Sequence, residues 1–128
     1  MLNEAIKAVE EYRSILNQGD VHEVNKWISD DFIGYFGYYN DRDYEIYNGK
    51  SYKESNVETL NSYKGKSPTW DYQDLTKNLR SETEIILSSI VTFSQSGEKV
   101  ATALCIEIFK KELDEWKLYR QHMERYSS

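Results

Sequence analysis

Four long stretches of alternating side chains fill the second half of the chain, at residues 68–78, 83–95, 98–110 and 115–126. Alternation with a period of two places successive side chains on opposite faces, as in a β-strand. The connections "NLRSE", "SQSGEK" and "ELDE" have the length of hairpin loops. Because strands joined by short loops run in opposite directions, this half predicts a mostly antiparallel meander.

The first half predicts three helices. Residues 2–17 carry apolar side chains at helical spacing, and Gly19 follows where a left-handed helix end is expected. Asp20 is the predicted N-cap of a short second helix at 21–28. The string "SYKE" has capping-box spacing and opens a predicted third helix at 51–63.

A further strand is predicted at 31–39, "DFIGYFGYY", where two glycines indicate a bulge, a bend or a close approach to the backbone. A turn, a short strand and a loop follow in "NDRDYEIYNGK". Helices followed by a strand meander are typical of an α+β domain, with the helices packed on one face of the sheet. Chains divide into domains beyond ~250 residues, so residues 1–128 are expected to form one domain.

Charge and hydropathy exclude several classes of partner. The formal net charge is −6, with basic residues scattered among acidic ones, whereas nucleic-acid binding needs a basic stripe. No apolar run approaches the ~18 residues of a membrane span, and no export signal is visible. The single cysteine, Cys105, fits a reducing cytosol. We expect a cytoplasmic protein that binds neither nucleic acid nor membrane.

The sequence lacks the residues that a metal site or a phosphate-binding loop needs. The two histidines, His22 and His122, lie on different predicted elements, and there is one cysteine, whereas a metal site needs clustered ligands. No glycine-rich phosphate loop is visible in the sequence. We therefore expect neither a metal nor a cofactor.

The register of the last hairpin decides which of its side chains share a face. An even number of residues in the "ELDE" loop places Glu107 opposite Arg120, and Cys105 opposite His122. The opposite charges of the first pair contribute ~0.2–1 kcal/mol. An odd loop would shift the pairing by one residue and remove both pairs. We therefore adopt the even register.

In the even register one face of the hairpin mixes small, apolar and polar residues, as a pocket floor does. Its members are Ala101, Ala103, Cys105, Glu107, Phe109, Trp116, Leu118, Arg120 and His122. The opposite face is more apolar and consists of Thr102, Leu104, Ile106, Ile108, Tyr119, Gln121 and Met123. Three helices cover one face only, and an exposed apolar patch usually marks an interface. We expect a homodimer through the apolar face, with contacts from Leu104, Ile106, Ile108, Tyr119 and Met123.

Three strings, taken in order along the chain, resemble the nuclear transport factor 2-like superfamily, and within it the SnoaL-like and ketosteroid isomerase-like proteins. They are "VEEYRSILNQGDVHEVNKWISDDF", "NGKSY" and "EWKLYRQHMERYSS". The resemblance covers nearly the whole chain. It implies a cone-shaped, cystatin-like α+β barrel: a curved sheet wrapped round helices, with a cavity open at one end and a sheet-mediated dimer.

The activity implied by the resemblance transfers only in part. The isomerases use a first-helix tyrosine as an oxyanion donor, and Tyr12 stands at the matching place. Their base, an aspartate in the first strand, falls at or near Phe36, and their second acid falls near Glu107. If Glu107 is paired with Arg120 it is ionised and cannot donate a hydrogen bond. The steroid-type proton shuttle is therefore expected to be broken, and the fold does not choose among other activities.

The candidate ligand-binding residues are Tyr12, Trp70, Glu107, Trp116, Arg120 and His122; Tyr12 and His122 are also the catalytic candidates, as acid and base. Each has a structural alternative. The aromatic residues suit a core, the carboxylate and guanidinium suit an ion pair, and the imidazole suits a hydrogen-bonded wall.

Our first hypothesis is a small-molecule-binding protein whose apolar ligand has a polar end near Arg120 and His122. Two alternatives stay open. One is an interaction module for dimerisation or partner docking with a vestigial cavity. The other is a lyase, isomerase or cyclase that uses Tyr12 and His122.

Overall fold

The computed structural model describes residues 2–126. Its helices are α1 (Leu2–Gln18), α2 (Val21–Asn25) and α3 (Gly49–Ser62). Its strands are β1 (Ile28–Tyr38), β2 (Glu45–Asn48), β3 (Pro68–Ser81), β4 (Glu84–Gln95), β5 (Glu98–Glu112) and β6 (Glu115–Arg125). The three helices and the four hairpin strands predicted from the sequence are therefore confirmed.

The six strands form one curved sheet that does not close, in the order β2-β1-β6-β5-β4-β3. Strands β3 to β6 form the predicted antiparallel meander, and β2 pairs antiparallel with β1. Strand β1 returns to lie parallel to β6. The helices pack on the concave face of this sheet, which confirms the α+β arrangement. Within residues 2–126, none of the helices is long and apolar enough to cross a membrane.

The core lies between α1 and the concave face of the sheet. Its fully buried side chains include Val9, Phe32, Ile85, Phe109 and Leu118. The end of α1 is held to the edge strand β3 by a pair of hydrogen bonds. Asn17 Nδ2 donates to the carbonyl of Trp70 (3.0 Å), and the Trp70 N–H donates to Asn17 Oδ1 (2.7 Å).

Two helix boundaries differ from the prediction. Helix α2 ends at Asn25, because Ile28 already belongs to β1 and pairs with Leu118 in β6. Helix α3 begins before Ser51, since Asn48 is the true N-cap. The Asn48 side chain accepts from the Ser51 N–H (2.9 Å), and Ser51 Oγ accepts from the Asn48 N–H (3.0 Å). This reciprocal pair is the capping box.

The predicted register of the last hairpin is correct near the turn and wrong beyond it. Phe109 faces Leu118, as the even loop requires. Tyr119 is then an extra residue in β6, so that Glu107 pairs with Gln121 instead of Arg120. For the same reason Cys105 faces Met123 and Ile106 faces His122. A one-residue bulge shifts every later pairing by one position.

The bulge exchanges the faces of four predicted residues. Gln121 and Met123, expected on the outer face, turn towards the helices and line a cavity. Arg120 and His122, expected inside, share the outer face with Ile106. The prediction of an inward-facing guanidinium and imidazole is therefore wrong.

Candidate functional site

A cavity of about 320 Å³ lies between the helices and the concave face of the sheet. Its lining consists of Tyr12, Leu16, Val24, Phe36, Glu45, Tyr47, Tyr52, Ser55, Asn56, Thr59, Leu60, Tyr63, Trp70, Tyr72, Gln121 and Met123. Tyr12 and Gln121 are 2% and 4% exposed and form its deep end. Glu45 and Thr59 are exposed, so the cavity opens on the side of β2 and α3.

One face of α3 forms a wall of the cavity. Tyr52, Asn56, Thr59 and Tyr63 follow one another at intervals of four, three and four residues, which keeps them on the same side of a helix. The wall is tied to α2 by a hydrogen bond from Asn56 Nδ2 to the side-chain oxygen of Asn25 (3.0 Å). This spacing is visible in the sequence and identifies the wall once the helix is recognised.

Gly34 allows a compact aromatic stack at the cavity wall. The Tyr52 ring lies 4.6 Å from the Phe32 ring and 5.5 Å from the Phe36 ring, nearly parallel to both. A Cβ atom at Gly34 would lie 2.7–2.9 Å from the Phe32 and Phe36 rings. The close approach predicted for a glycine in this strand is therefore made by the strand's own side chains.

A buried carboxyl group lies behind the deep end of the cavity. The Tyr52 hydroxyl donates to Gln121 Oε1 (3.1 Å), and Gln121 Nε2 donates to Glu107 Oε2 (2.8 Å). Burial raises the pKa of Glu107 to about 7, against the lowering influence of the Arg13 charge and the Gln121 hydrogen bond. Near neutral pH Glu107 is therefore present in both protonation states. The expectation that pairing with Arg120 keeps it ionised is wrong.

A half-buried ion pair joins α1 to β3. The Arg13 guanidinium donates two hydrogen bonds to the Asp74 carboxylate, at 2.9 and 3.0 Å. Ser89 Oγ donates to the same carboxylate (2.7 Å). The Arg13 guanidinium carbon lies 4.0 Å from the centroid of the Tyr72 ring, a ring that lines the cavity. The positive charge is therefore neutralised beside the cavity rather than offered to it.

The hydroxyl groups of the cavity are neutral hydrogen-bonding groups. Burial raises the pKa of Tyr12, Tyr52 and Tyr72 above the ordinary value of a tyrosine. Burial likewise raises the pKa of the Cys105 thiol, which makes it a packing residue rather than a nucleophile. Polar chemistry at the deep end therefore rests on hydroxyls, the Gln121 amide and the Glu107 carboxyl.

The structure places two of the six predicted ligand-binding residues in the cavity lining and a third directly behind it. Tyr12 and Trp70 line it, and Glu107 lies behind Gln121. Trp116 lies near the β5–β6 turn, packed against the core and away from the cavity lining. The register shift does not affect Trp116, so its position reflects distance along the hairpin.

The remaining two candidates lie on the other side of the sheet. Arg120 Nη1 donates to the carbonyl of Asp31 (2.7 Å), and its guanidinium stacks on the Tyr119 ring at 3.9 Å. The His122 ring lies 5.4 Å from that of Tyr44, which is exposed. Because the sheet separates His122 from Tyr12, these two residues do not face one bound molecule as acid and base.

Sequence reasoning missed several polar residues of the site, including Gln121 and Glu45. Gln121 was assigned to the outer face, because a single bulge cannot be read from a regular alternation. Glu45 was not considered, although it lies opposite Phe36 in the β1–β2 pair and lines the cavity. Its position in the short strand that follows the aromatic first strand is a sequence signal that could have identified it as a cavity residue. In the part of the chain from residue 2 to 126, no group of three or more metal-ligating side chains is close enough to hold an ion.

No known family model matches this sequence, and no curated protein matches it. Solved structures do. An NTF2-like protein of unknown function from Shewanella oneidensis superposes with a TM-score of 0.73 at 10% identity, covering 95% of this chain and 97% of that one. A ketosteroid isomerase-like protein from Erwinia carotovora gives 0.67 at 15% identity, with 95% and 93% coverage.

A scytalone dehydratase-like protein from Novosphingobium aromaticivorans gives a TM-score of 0.70 at 17% identity, covering 97% of this chain and 86% of that one. At these identities the likeness concerns the fold and not the activity. The likeness in fold predicted from the three sequence strings is thereby confirmed: the chain has the α+β fold of the nuclear transport factor 2-like proteins, and the ketosteroid isomerase-like protein shares it.

Proposed function

We propose that the protein binds a small molecule with a flat, apolar body in the cavity beneath α1 and α3. The observation that carries this proposal is the cavity lining: seven aromatic rings surround about 320 Å³. This volume lies at the lower end of the ~300–1,000 Å³ typical of ligand pockets. Mostly apolar walls with a few convergent polar groups are the usual composition of such a site.

The polar end of the ligand is assigned to the deep end of the cavity. Tyr12 and Gln121 are both buried there, and the Gln121 amide is already held by Tyr52 and Glu107. Side chains that are fixed before the ligand arrives lose little entropy on binding. This assignment replaces Arg120 and His122, which lie outside the cavity.

The proposal is tested by filling the cavity from α3. Ser55 lines the cavity, whereas Ser62 is exposed on the same helix and does not. Binding of 2-naphthylmethanol, measured by isothermal titration calorimetry, should be saturable for the wild type and for Ser62→Phe. It should be lost in Ser55→Phe. Equal binding by the two variants, or no saturable binding by the wild type, would contradict the proposal.

Proton-transfer catalysis is a second candidate, favoured by one carboxylate in the cavity lining. Glu45 lies opposite Phe36, the position at which the resemblance implies a base, and lines the cavity. Glu107 lies behind Gln121 and does not line the cavity, so the hydrogen-bond donor for a bound carbonyl group is the Tyr12 hydroxyl at the deep end. A base at the mouth and a hydroxyl donor at depth are suited to moving a proton on a bound carbonyl compound.

The test of catalysis is deuterium incorporation into 2-tetralone in D₂O, followed by NMR. The wild type should accelerate exchange at the carbons next to the carbonyl group, and Glu45→Gln should remove the acceleration while 2-tetralone still binds. Exchange at the buffer rate with bound ketone present would leave binding as the sole function.

The proposed partner is a second copy of the chain, docked on the outer face of the sheet. Leu104, Ile106, Ile108 and Tyr119 lie on that face, and Ile106 is 37% exposed. Met123, expected among these contacts, lines the cavity instead. Dimerisation accompanies the binding proposal here rather than replacing it, since the aromatic rings surround an open volume instead of filling it.

A reducing compartment such as the cytosol is the setting we propose. Cys105 is the single cysteine, and it is buried. A single cysteine cannot form a bridge within the chain, and chains without disulfides are typical of reducing compartments.

A further inference from the structure

The cavity wall carries a negative charge and no positive charge. Within residues 2–126, Glu45 is the single charged side chain that lines the cavity, and no lysine or arginine lines it. An anion transferred into this site would lose its hydration without meeting a positive charge, which is strongly unfavourable. A cation would meet the Glu45 carboxylate at the mouth.

The charges behind the wall do not reverse this sign. Arg13, the cation beside the Tyr72 ring, is held by Asp74 through two hydrogen bonds, and Lys77 lies 3.4 Å from the same carboxylate. Neither cation lines the cavity. Glu107, behind Gln121, adds negative charge whenever it is ionised. The whole chain carries a net charge of −6, which attracts cations over a longer range.

The Tyr47 ring stands steeply across the stacked Phe36 and Tyr52 rings, and these three rings form an open cage. The Phe36 and Tyr47 rings lie 5.4 Å apart at 85° to each other, and the Tyr47 and Tyr52 rings lie 6.1 Å apart at 67°. Rings at steep angles present faces in several directions. Because each face carries negative electrostatic potential, a cation within ~6 Å of a ring centre is attracted to it.

We infer that the cavity selects organic cations, with an ammonium group on an aromatic or other apolar body, over neutral and anionic molecules of the same shape. Glu45 is the counter-ion at the mouth, and the caged rings supply the remaining attraction. The inference rests on the proposed binding function and adds the charge of the ligand to it.

Three molecules that share one ring system test the sign of the preference: 2-naphthylmethylamine, 2-naphthylmethanol and 2-naphthoate. Their dissociation constants are measured by isothermal titration calorimetry at pH 7.5 and low salt. The protonated amine should bind about tenfold more tightly than the alcohol, as expected for a desolvated cation beside aromatic faces. The carboxylate should bind more weakly than the alcohol.

The outcomes separate the two proposals. If none of the three molecules binds, the binding function and the cation preference both fail. If the alcohol binds as tightly as the amine, or the carboxylate binds best, the binding function stands and the cation preference is overturned.

Glu45→Gln identifies the source of the preference. The variant should weaken amine binding about two- to fivefold more than it weakens alcohol binding, the size of an exposed ion pair. Glu58→Gln on the outside of α3 is the matched control, because Glu58 is exposed and does not line the cavity. An equal effect of both variants on the amine would indicate a general field rather than a counter-ion and overturn the role of Glu45. Circular dichroism melting of each variant shows whether it remains folded.

Discussion

Gln121 Nε2 donates a hydrogen bond of 2.8 Å to Glu107 Oε2 across strands β5 and β6. The pair exists because Tyr119 is bulged out of the ladder, which turns Gln121 towards the helices. An amide satisfies the carboxyl group without fixing its charge, since it donates to either protonation state. Glu107 is therefore free to titrate in the interior.

The titration of Glu107 makes stability depend on pH. Its pKa is raised from 4.5 to about 7 in the folded state, so the folded state holds the proton more tightly than the unfolded chain. The resulting stabilisation is fully present below about pH 4.5 and is lost as the pH rises through about 7. Glu107→Gln keeps the shape and removes the titration.

Wild type and Glu107→Gln should thus diverge as the pH rises. Between pH 5 and pH 8 the unfolding free energy of the wild type should fall relative to the variant by up to ~3 kcal/mol. Urea unfolding at a series of pH values measures this difference. Glu98→Gln, at an exposed position in β5, is the control that should follow the wild type. Parallel curves for wild type and Glu107→Gln would contradict a pKa near 7.

A methyl group at Gly34 should be costly. The added Cβ would lie 2.7–2.9 Å from the Phe32 and Phe36 rings, so Gly34→Ala should destabilise the protein by ~1–3 kcal/mol through overpacking. In the background of Phe36→Ala the same change should cost less, because one of the three close contacts is removed and the remaining Phe32 ring gains room to move. A double-mutant cycle in urea measures the coupling. Additive effects would show that the rings are not the source of the cost.

Much of the fold follows from the sequence because its signals are local. The alternation of β3 to β6, the cap at Asp20 and the stop at Gly19 each depend on a few neighbouring residues, and the structure has each of them. The cavity-lining positions of Tyr12 and Trp70 agree with the inward faces of their elements.

The polar residues of the site could not be predicted from the sequence, for a physical reason. A strand's alternation predicts its faces only while the ladder is regular, and one bulged residue reverses every position after it. The Tyr119 ring is stabilised there by the guanidinium of the next residue, Arg120, and by the amine of Lys110 on the neighbouring strand, at 3.9 and 4.7 Å. The alternation of apolar and polar residues does not show which residue of the strand is bulged.

Breaking the Arg13–Asp74 pair should strongly destabilise the protein. The two side chains are 13% and 21% exposed, so Asp74→Asn would leave the guanidinium poorly compensated at a cost of ~3 kcal/mol. The exposed Lys26–Glu23 pair, at 58% and 47%, is the comparison, and Glu23→Gln should cost less than ~1 kcal/mol. Equal losses in urea unfolding would show that burial does not strengthen the Arg13 pair.

The same pair predicts a loss of stability in acid. Burial alone would raise the pKa of Asp74, but the hydrogen bonds from Arg13 and Ser89 outweigh it and lower the pKa below the ordinary 3.8. A lowered folded-state pKa gives stability that is present above the unfolded value and is lost as the pH falls through the folded one. Below pH 4 the unfolding free energy of the wild type should therefore approach that of Asp74→Asn, and a constant gap would contradict the assignment.

A charge at Ile106 should separate the proposed dimer without closing the cavity. Ile106 lies on the outer face of β5 and is 37% exposed, so Ile106→Asp places a charged carboxylate in the proposed interface, where its desolvation by the second copy is unfavourable. Light scattering after gel filtration should change from the dimer mass to the monomer mass. Val57→Asp, at a 43% exposed position of α3, should remain dimeric. Both variants should retain binding of 2-naphthylmethanol, since neither residue lines the cavity. A wild-type monomer at micromolar concentration, or a dimer that survives Ile106→Asp, would rule out this face as the site of self-association.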